Sequence, residues 1–123
     1  MANAQPAANL PCPIRDILDR IGDAWSLLVM FELCKGPGRF NALSRVIDGI
    51  SQRMLSVTLR HLERDGLVIR TVLPTAPPQV EYRLSAMGQD LVTRLAPLAD
   101  WAKTNQSSIN TARRTFDKRP VLV

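Results

Sequence analysis

At 123 residues, 46% hydrophobic and 22% charged, the chain has the size and composition of one folded globular domain with a modest core. Sixteen Lys and Arg against eleven Asp and Glu leave a net charge of +5, which favours a polyanionic partner. No apolar run approaches the ~18 residues that cross a bilayer, residues 1–10 lack the basic-then-apolar order of a secretory signal, and two Cys with a single His cannot supply a four-ligand zinc site. A cytoplasmic protein with neither metal nor membrane partner is expected.

Met1 to Leu10, rich in Ala, Asn, Gln and Pro, reads as a loose arm. Pro11-Cys12-Pro13 leads into a first helix, roughly Ile14 to Ile21, closed by Gly22. Asp23 is placed to cap a second helix, in which Trp25, Leu28, Phe31 and Glu32 recur at helical spacing up to Cys34. Cys34 reads there as a small core hydrophobe. Gly36-Pro37-Gly38 ends that helix. A third, about Phe40 to Val46, is expected to bury Phe40, Leu43 and Ile47, and Asp48-Gly49 turns the chain into a fourth.

The fourth helix is the most informative segment. Ser51 is a good N-cap, Gly66 a good C′ residue, and Leu67 is placed to fold back towards Leu62. Leu55, Leu59 and Leu62 share one side, flanked by Met54 and Thr58. The other side carries Arg53, Ser56, Val57, Arg60 and Arg64, with Gln52 at its edge. A helix, a tight glycine turn and a helix with a polar outer face make helix-turn-helix geometry.

After Gly66 the hydrophobic period switches from 3.6 to 2. Val68 to Leu73 reads as a strand, residues 74–79 as a proline-stiffened loop, and Val80 to Leu84 as the returning strand. The predicted fold class is therefore mainly α with a small β-hairpin (α+β), a winged helix-turn-helix. Ser85 then caps a long helix, about Ala86 to Asn105, striped with Met87, Leu91, Leu95, Leu98 and Ala102. That stripe is wider than one small domain needs to cover, and Pro97 is expected to kink or break it. Asn110 to Val123 is polar and basic and reads either as a frayed tail or as a further helix. The expected organisation is an arm over 1–10, a winged-helix domain over 11–107 and a basic tail over 108–123.

A cationic, hydrogen-bonding helix face suits the major groove of double-stranded DNA. Arginine grips guanine bidentately, glutamine reads adenine, and a valine methyl meets the thymine methyl. Gln52, Arg53, Ser56, Val57 and Arg60 are the candidate groove residues, and the Ser51 end of the helix favours a phosphate. Arg64 reads as a surface charge paired with Glu63, Asp65 or solvent. Arg39 and Asn41 open the preceding helix, where side chains commonly touch the phosphate backbone. Arg70 and Arg83 flank the hairpin and reach phosphate or the minor groove, or else pair with Glu81. Trp25 and Trp101 read as core or interface packing, and His61 as packing or surface. Cys12 stands beside a helix N-terminus and near Arg15, both of which favour thiolate; the alternative is an inert thiol packed at an interface. No phosphate loop continues from Gly36-Pro37-Gly38, and no His pairs with a nucleophile, so neither an enzyme nor a cofactor is expected.

Several segments carry a family resemblance: Cys12-Pro13, Ile21-Gly22-Asp23-Ala24-Trp25, residues 36–43, 49–55 and 59–68, Val80-Glu81-Tyr82-Arg83-Leu84-Ser85, and Leu98-Ala99-Asp100-Trp101. In these, from about Pro11 to Lys103, the chain resembles the HxlR family of winged-helix regulators. The resemblance implies a homodimeric DNA-binding transcription factor, a repressor or dual regulator acting on an inverted-repeat operator. It implies dimerisation through the N-terminal and last helices, and an electrophile, aldehyde or oxidant effector. Cys12 matches the family's N-terminal cysteine, a redox switch in some members. The chain departs from the pattern at Cys34, where an aliphatic residue is usual, and in its basic tail. The competing reading is a winged-helix protein-interaction module without specific DNA binding.

Overall fold

The computed structural model describes residues 12–121; the arm expected over residues 1–10 lies outside them. Among the described residues five helices and one antiparallel hairpin occur in the order α1 (Pro13–Ile21), α2 (Ala24–Leu33), α3 (Phe40–Val46), α4 (Gln52–Arg64), β1 (Val68–Leu73), β2 (Gln79–Leu84) and α5 (Ala86–Asp117). The chain divides after Gln89 into two compact units, the second starting at Asp90 and holding the remainder of α5.

Local chemistry sets the ends of these elements. Pro13 occupies the first turn of α1, where its missing N–H costs nothing. The Asp23 carboxylate accepts from the Trp25 N–H at 3.1 Å and from the Ser26 hydroxyl at 3.1 Å, opening α2. Gly49, at φ +83°, makes the turn between α3 and α4. The hydroxyl of Ser85 accepts from the Gly88 N–H at 3.0 Å to cap α5. It also donates to the Gly66 carbonyl at 2.6 Å, tying the end of the hairpin to the end of α4.

The core of the first unit is built from Val29, Met30 and Leu33 of α2, Leu43 of α3, Leu55, Leu59 and Leu62 of α4, and Val68 and Leu84 at the root of the hairpin, with Ile47, Ile50 and Leu67 between elements. The strands pair in the register Val68↔Leu84 through Leu73↔Gln79, so β2 begins one residue earlier than its alternation predicts. A reciprocal bridge joins Gly38 to the hairpin: its N–H donates to the Tyr82 carbonyl at 2.9 Å and its carbonyl accepts from the Tyr82 N–H at 2.8 Å.

Several expectations are corrected. In α2 the buried stripe is Ser26, Val29, Met30 and Leu33, while Leu28 is 48% exposed and Trp25, Phe31 and Glu32 are half-buried. This helix is apolar around most of its circumference, so spacing alone cannot orient it. Ser26 turns inward because Asp23 satisfies its hydroxyl. Cys34 is not a core residue: it is the exposed C-cap, just past the last buried turn. Phe40 is half-buried, leaving Leu43 and Ile47 to anchor α3. Pro97 does not break α5, because one missing hydrogen bond in a 32-residue ladder does not end the helix. The helix runs past Asn105 to Asp117, so most of the segment left open between tail and helix is helical.

Candidate nucleic-acid interface

Helix α4 owes its position to both of its ends. The Ser51 hydroxyl accepts from the Met54 N–H at 3.0 Å. At the other end Gly66, at φ +78°, lets its own N–H reach the Glu63 carbonyl at 3.0 Å and the Leu67 N–H reach the Leu62 carbonyl at 3.0 Å. This pair of bonds is the Schellman closure. Leu55, Thr58, Leu59 and Leu62 are buried, which fixes the rotation of the helix and turns Gln52, Arg53, Ser56, Val57, Arg60 and Arg64 outward, all exposed.

Burying three leucines at about 1.5–3 kcal/mol each outweighs any preference of the surface side chains, so the inner face decides which residues are presented. Among the described residues the ion pairs are Arg20–Asp65, Lys35–Glu32 and Arg94–Asp90. None engages Arg53, Arg60 or Arg64. Asp65, a partner proposed for Arg64, is held instead by Arg20, which joins the last turn of α1 to the C-cap of α4.

Strand register decides which wing residue meets this face. Arg70 is paired with Tyr82 and lies two residues beyond the buried Val68, on the hairpin face that turns towards the core. Arg83 is paired with Ile69 on the opposite face, which it shares with Glu81. A shallow, mostly polar depression is consequently lined by Ser56, Arg60 and Glu63 of α4 together with Arg70 and Tyr82 of the hairpin. Arg70 joins the α4 residues and Arg83 does not. Arg39 is the N-cap of α3 and, like Asn41 in the first turn, is exposed. Neither lines the depression.

Tyr82 and Glu63 are not among the residues that sequence singles out. Strand alternation puts Tyr82 in line with Leu84, but only the cross-strand register reveals Arg70 as its neighbour.

The other candidates are spread over the molecule. Cys12 is the half-buried N-cap of α1, with its backbone carbonyl accepting from the Asp16 N–H at 2.8 Å. It and Cys34 are both free thiols. Trp25 is half-buried, Trp101 is 57% exposed, and His61 is exposed. Among the described residues no three His, Cys, Asp or Glu side chains are grouped to hold a metal ion. No helix among them is long and apolar enough to cross a membrane.

Comparison with known proteins bears on this arrangement directly. A family model described as HxlR-like helix-turn-helix matches residues 20–110. The HTH-type transcriptional regulator YtfH of Escherichia coli is 37% identical over 102 residues, covering 83% of this chain and 81% of that protein. Among solved structures, the transcriptional regulator YtfH from Salmonella typhimurium superposes with a TM-score of 0.75 at 36% identity, over 84% of this chain and 92% of the other. The redox regulator HypR in its reduced form gives 0.76 at 35% identity, over 81% and 99%.

Proposed function

The chain belongs to the HxlR-like helix-turn-helix family of transcriptional regulators, and from that premise we propose that it binds double-stranded DNA as a homodimer. Helix α4 is the reading element. In the cytoplasm it represses or otherwise modulates transcription from an inverted-repeat operator. The observation that carries this reading is the outer face of α4. It is exposed, it holds Gln52, Arg53, Ser56, Val57 and Arg60, and no intrachain ion pair among the described residues neutralises its arginines.

Each side chain has a role consistent with its chemistry. Gln52 and Arg53, in the first turn of α4, are suited to base edges, because recognition helices contact bases mainly through their N-terminal residues. Ser56, Val57 and Arg60 continue the contact along the groove. The Ser51 end of the helix, Arg39 and Asn41 are backbone contacts that set register rather than sequence. Arg70 and Arg83, on opposite faces of the hairpin, act at different points: Arg70 beside α4, Arg83 from the outer side of the wing. Two copies of α4 related by a two-fold axis enter major grooves about one helical turn, or ~34 Å, apart.

Selection of bound duplexes from a random pool, followed by titration at several salt concentrations, tests the reading. The selected site is expected to be an inverted repeat whose affinity falls steeply as salt rises. Arg53→Ala and Arg60→Ala should each cost about 1–3 kcal/mol and relax specificity at one position of each half-site. No enrichment, or salt-insensitive binding, rejects it in favour of a protein-interaction role.

Control by an oxidant or electrophile acting at Cys12 is part of the same proposal, supported by the likeness to the redox regulator HypR and by the position of Cys12 at the head of α1. Operator binding by the wild type and by Cys12→Ser, compared after diamide treatment, checks it: identical responses remove Cys12 from the mechanism.

A further inference from the structure

The depression between α4 and the root of the hairpin combines chemistry that base reading does not use. Two guanidiniums, Arg60 and Arg70, two hydroxyl-bearing residues, Ser56 and Tyr82, and one carboxylate, Glu63, line a single concavity. None of the ion pairs among the described residues involves Arg60, Arg70 or Glu63. Glu63 lies eleven residues beyond Gln52, roughly 16 Å further along the helix axis. A helix that enters the groove by its first turns brings its last turns against the sugar-phosphate wall, not the base edges. The position of Tyr82 is set by the main chain, since its N–H and carbonyl are both bonded to Gly38.

We infer that this depression is a seat for one DNA backbone phosphate, in which Tyr82 donates a hydrogen bond beside Arg70, and Glu63 is a built-in opposing charge. The inference rests on the DNA-binding reading above and extends it to two residues outside the reading face. Arg70 attracts the phosphate without regard to sequence. Glu63 repels it equally without regard to sequence, and so lowers affinity for every duplex. Because that penalty is the same for every duplex, it cancels between cognate and non-cognate sites, so Glu63 sets overall affinity and leaves discrimination to base contacts elsewhere along α4.

The test uses the full chain and a labelled mixed-sequence duplex carrying no selected site, because phosphate contacts do not depend on sequence. Glu63→Gln should bind that duplex about fivefold more tightly at low salt, and Tyr82→Phe, which keeps the ring, about threefold to tenfold more weakly. Arg70→Ala should lower the slope of log affinity against log salt by about 1. In the Arg70→Ala background the gain from Glu63→Gln should shrink, since the phosphate no longer approaches the carboxylate. Unchanged thermal melting of Tyr82→Phe separates a lost contact from a lost fold. If the wild type binds with a normal salt slope but Glu63→Gln and Tyr82→Phe match it within about twofold, or if Glu63→Gln weakens binding, the seat is wrong and the DNA-binding reading stands. If the wild type binds no duplex at all, both fall.

Discussion

Helices α4 and α5 both open on a serine cap, yet they dispose of their apolar residues in opposite ways. Leu55, Leu59 and Leu62 of α4 are at most 1% exposed, so the first unit alone satisfies that helix. Beyond Asp90, Val92 is the one buried position among the described residues of α5, while Leu98, Trp101 and Phe116 are 55–61% exposed. One helix sinks its hydrophobic face inside its own chain and presents cations. The other keeps large apolar side chains on its surface, which is how a helix reads when its cover comes from another molecule. Helix α1 sides with α5: it buries no residue, and Ile14 and Leu18 are 68% and 53% exposed. The cation-bearing surface and the exposed apolar surfaces are thus built from different elements.

Substitutions can break or sharpen this contrast. The largest effect is expected at Leu59, where truncation to Ala should cost about 2–5 kcal/mol through lost burial and the cavity left behind, read from the urea midpoint. A value below about 1 kcal/mol would mean that α4 is not anchored by its inner face. Gly88→Ala comes next and sets two principles against each other. Helix propensity favours Ala over Gly by about 1 kcal/mol. A Cβ at Gly88, however, would lie 2.2 Å from the Leu67 carbonyl oxygen, which is backbone and already accepts from the Ser85 N–H. The clash should win, with a net loss of about 1–3 kcal/mol. A stabilised variant would show that the start of α5 is free to move away from the hairpin.

Ser51→Ala should cost about 1 kcal/mol by leaving the Met54 N–H uncapped. The smallest folding effect is expected at Trp101, where Ser should change the stability of the isolated chain by no more than about 0.5 kcal/mol. It should nonetheless weaken self-association in sedimentation equilibrium. A strongly destabilised Trp101→Ser monomer would place that side chain in a core and erase the contrast.

The same contrast explains what sequence can reveal. Helix α4 is readable because its inner and outer faces differ sharply and because Ser51 and Gly66 have one structural use each. The winged architecture is legible in the change of period after Gly66. Helix α2 cannot be oriented from its pattern because Leu27, Leu28, Val29, Met30, Phe31 and Leu33 surround its axis, and the choice among them is made by contacts distant in sequence. Cys34 is misplaced with it, since a position predicted from a misoriented stripe inherits the error. At Pro97 the sequence leaves kink and break open, and only the break is excluded, because a proline's local cost is set against the length of ladder around it. In the depression beside α4, Arg60, Ser56 and Arg70 are legible as polar groups on separate elements. Tyr82 and Glu63 are not, because their nearness to Arg70 comes from register and docking, which no single segment encodes.

The bond pair between Gly38 and Tyr82 has a mechanical consequence. A two-stranded ribbon standing alone is marginal and free to swing. Here β2 is pinned at midspan to the turn joining α2 and α3, a second anchor besides the buried root at Val68 and Leu84. Held at both points, the ribbon has little freedom to swing, and Arg70 keeps its station beside α4.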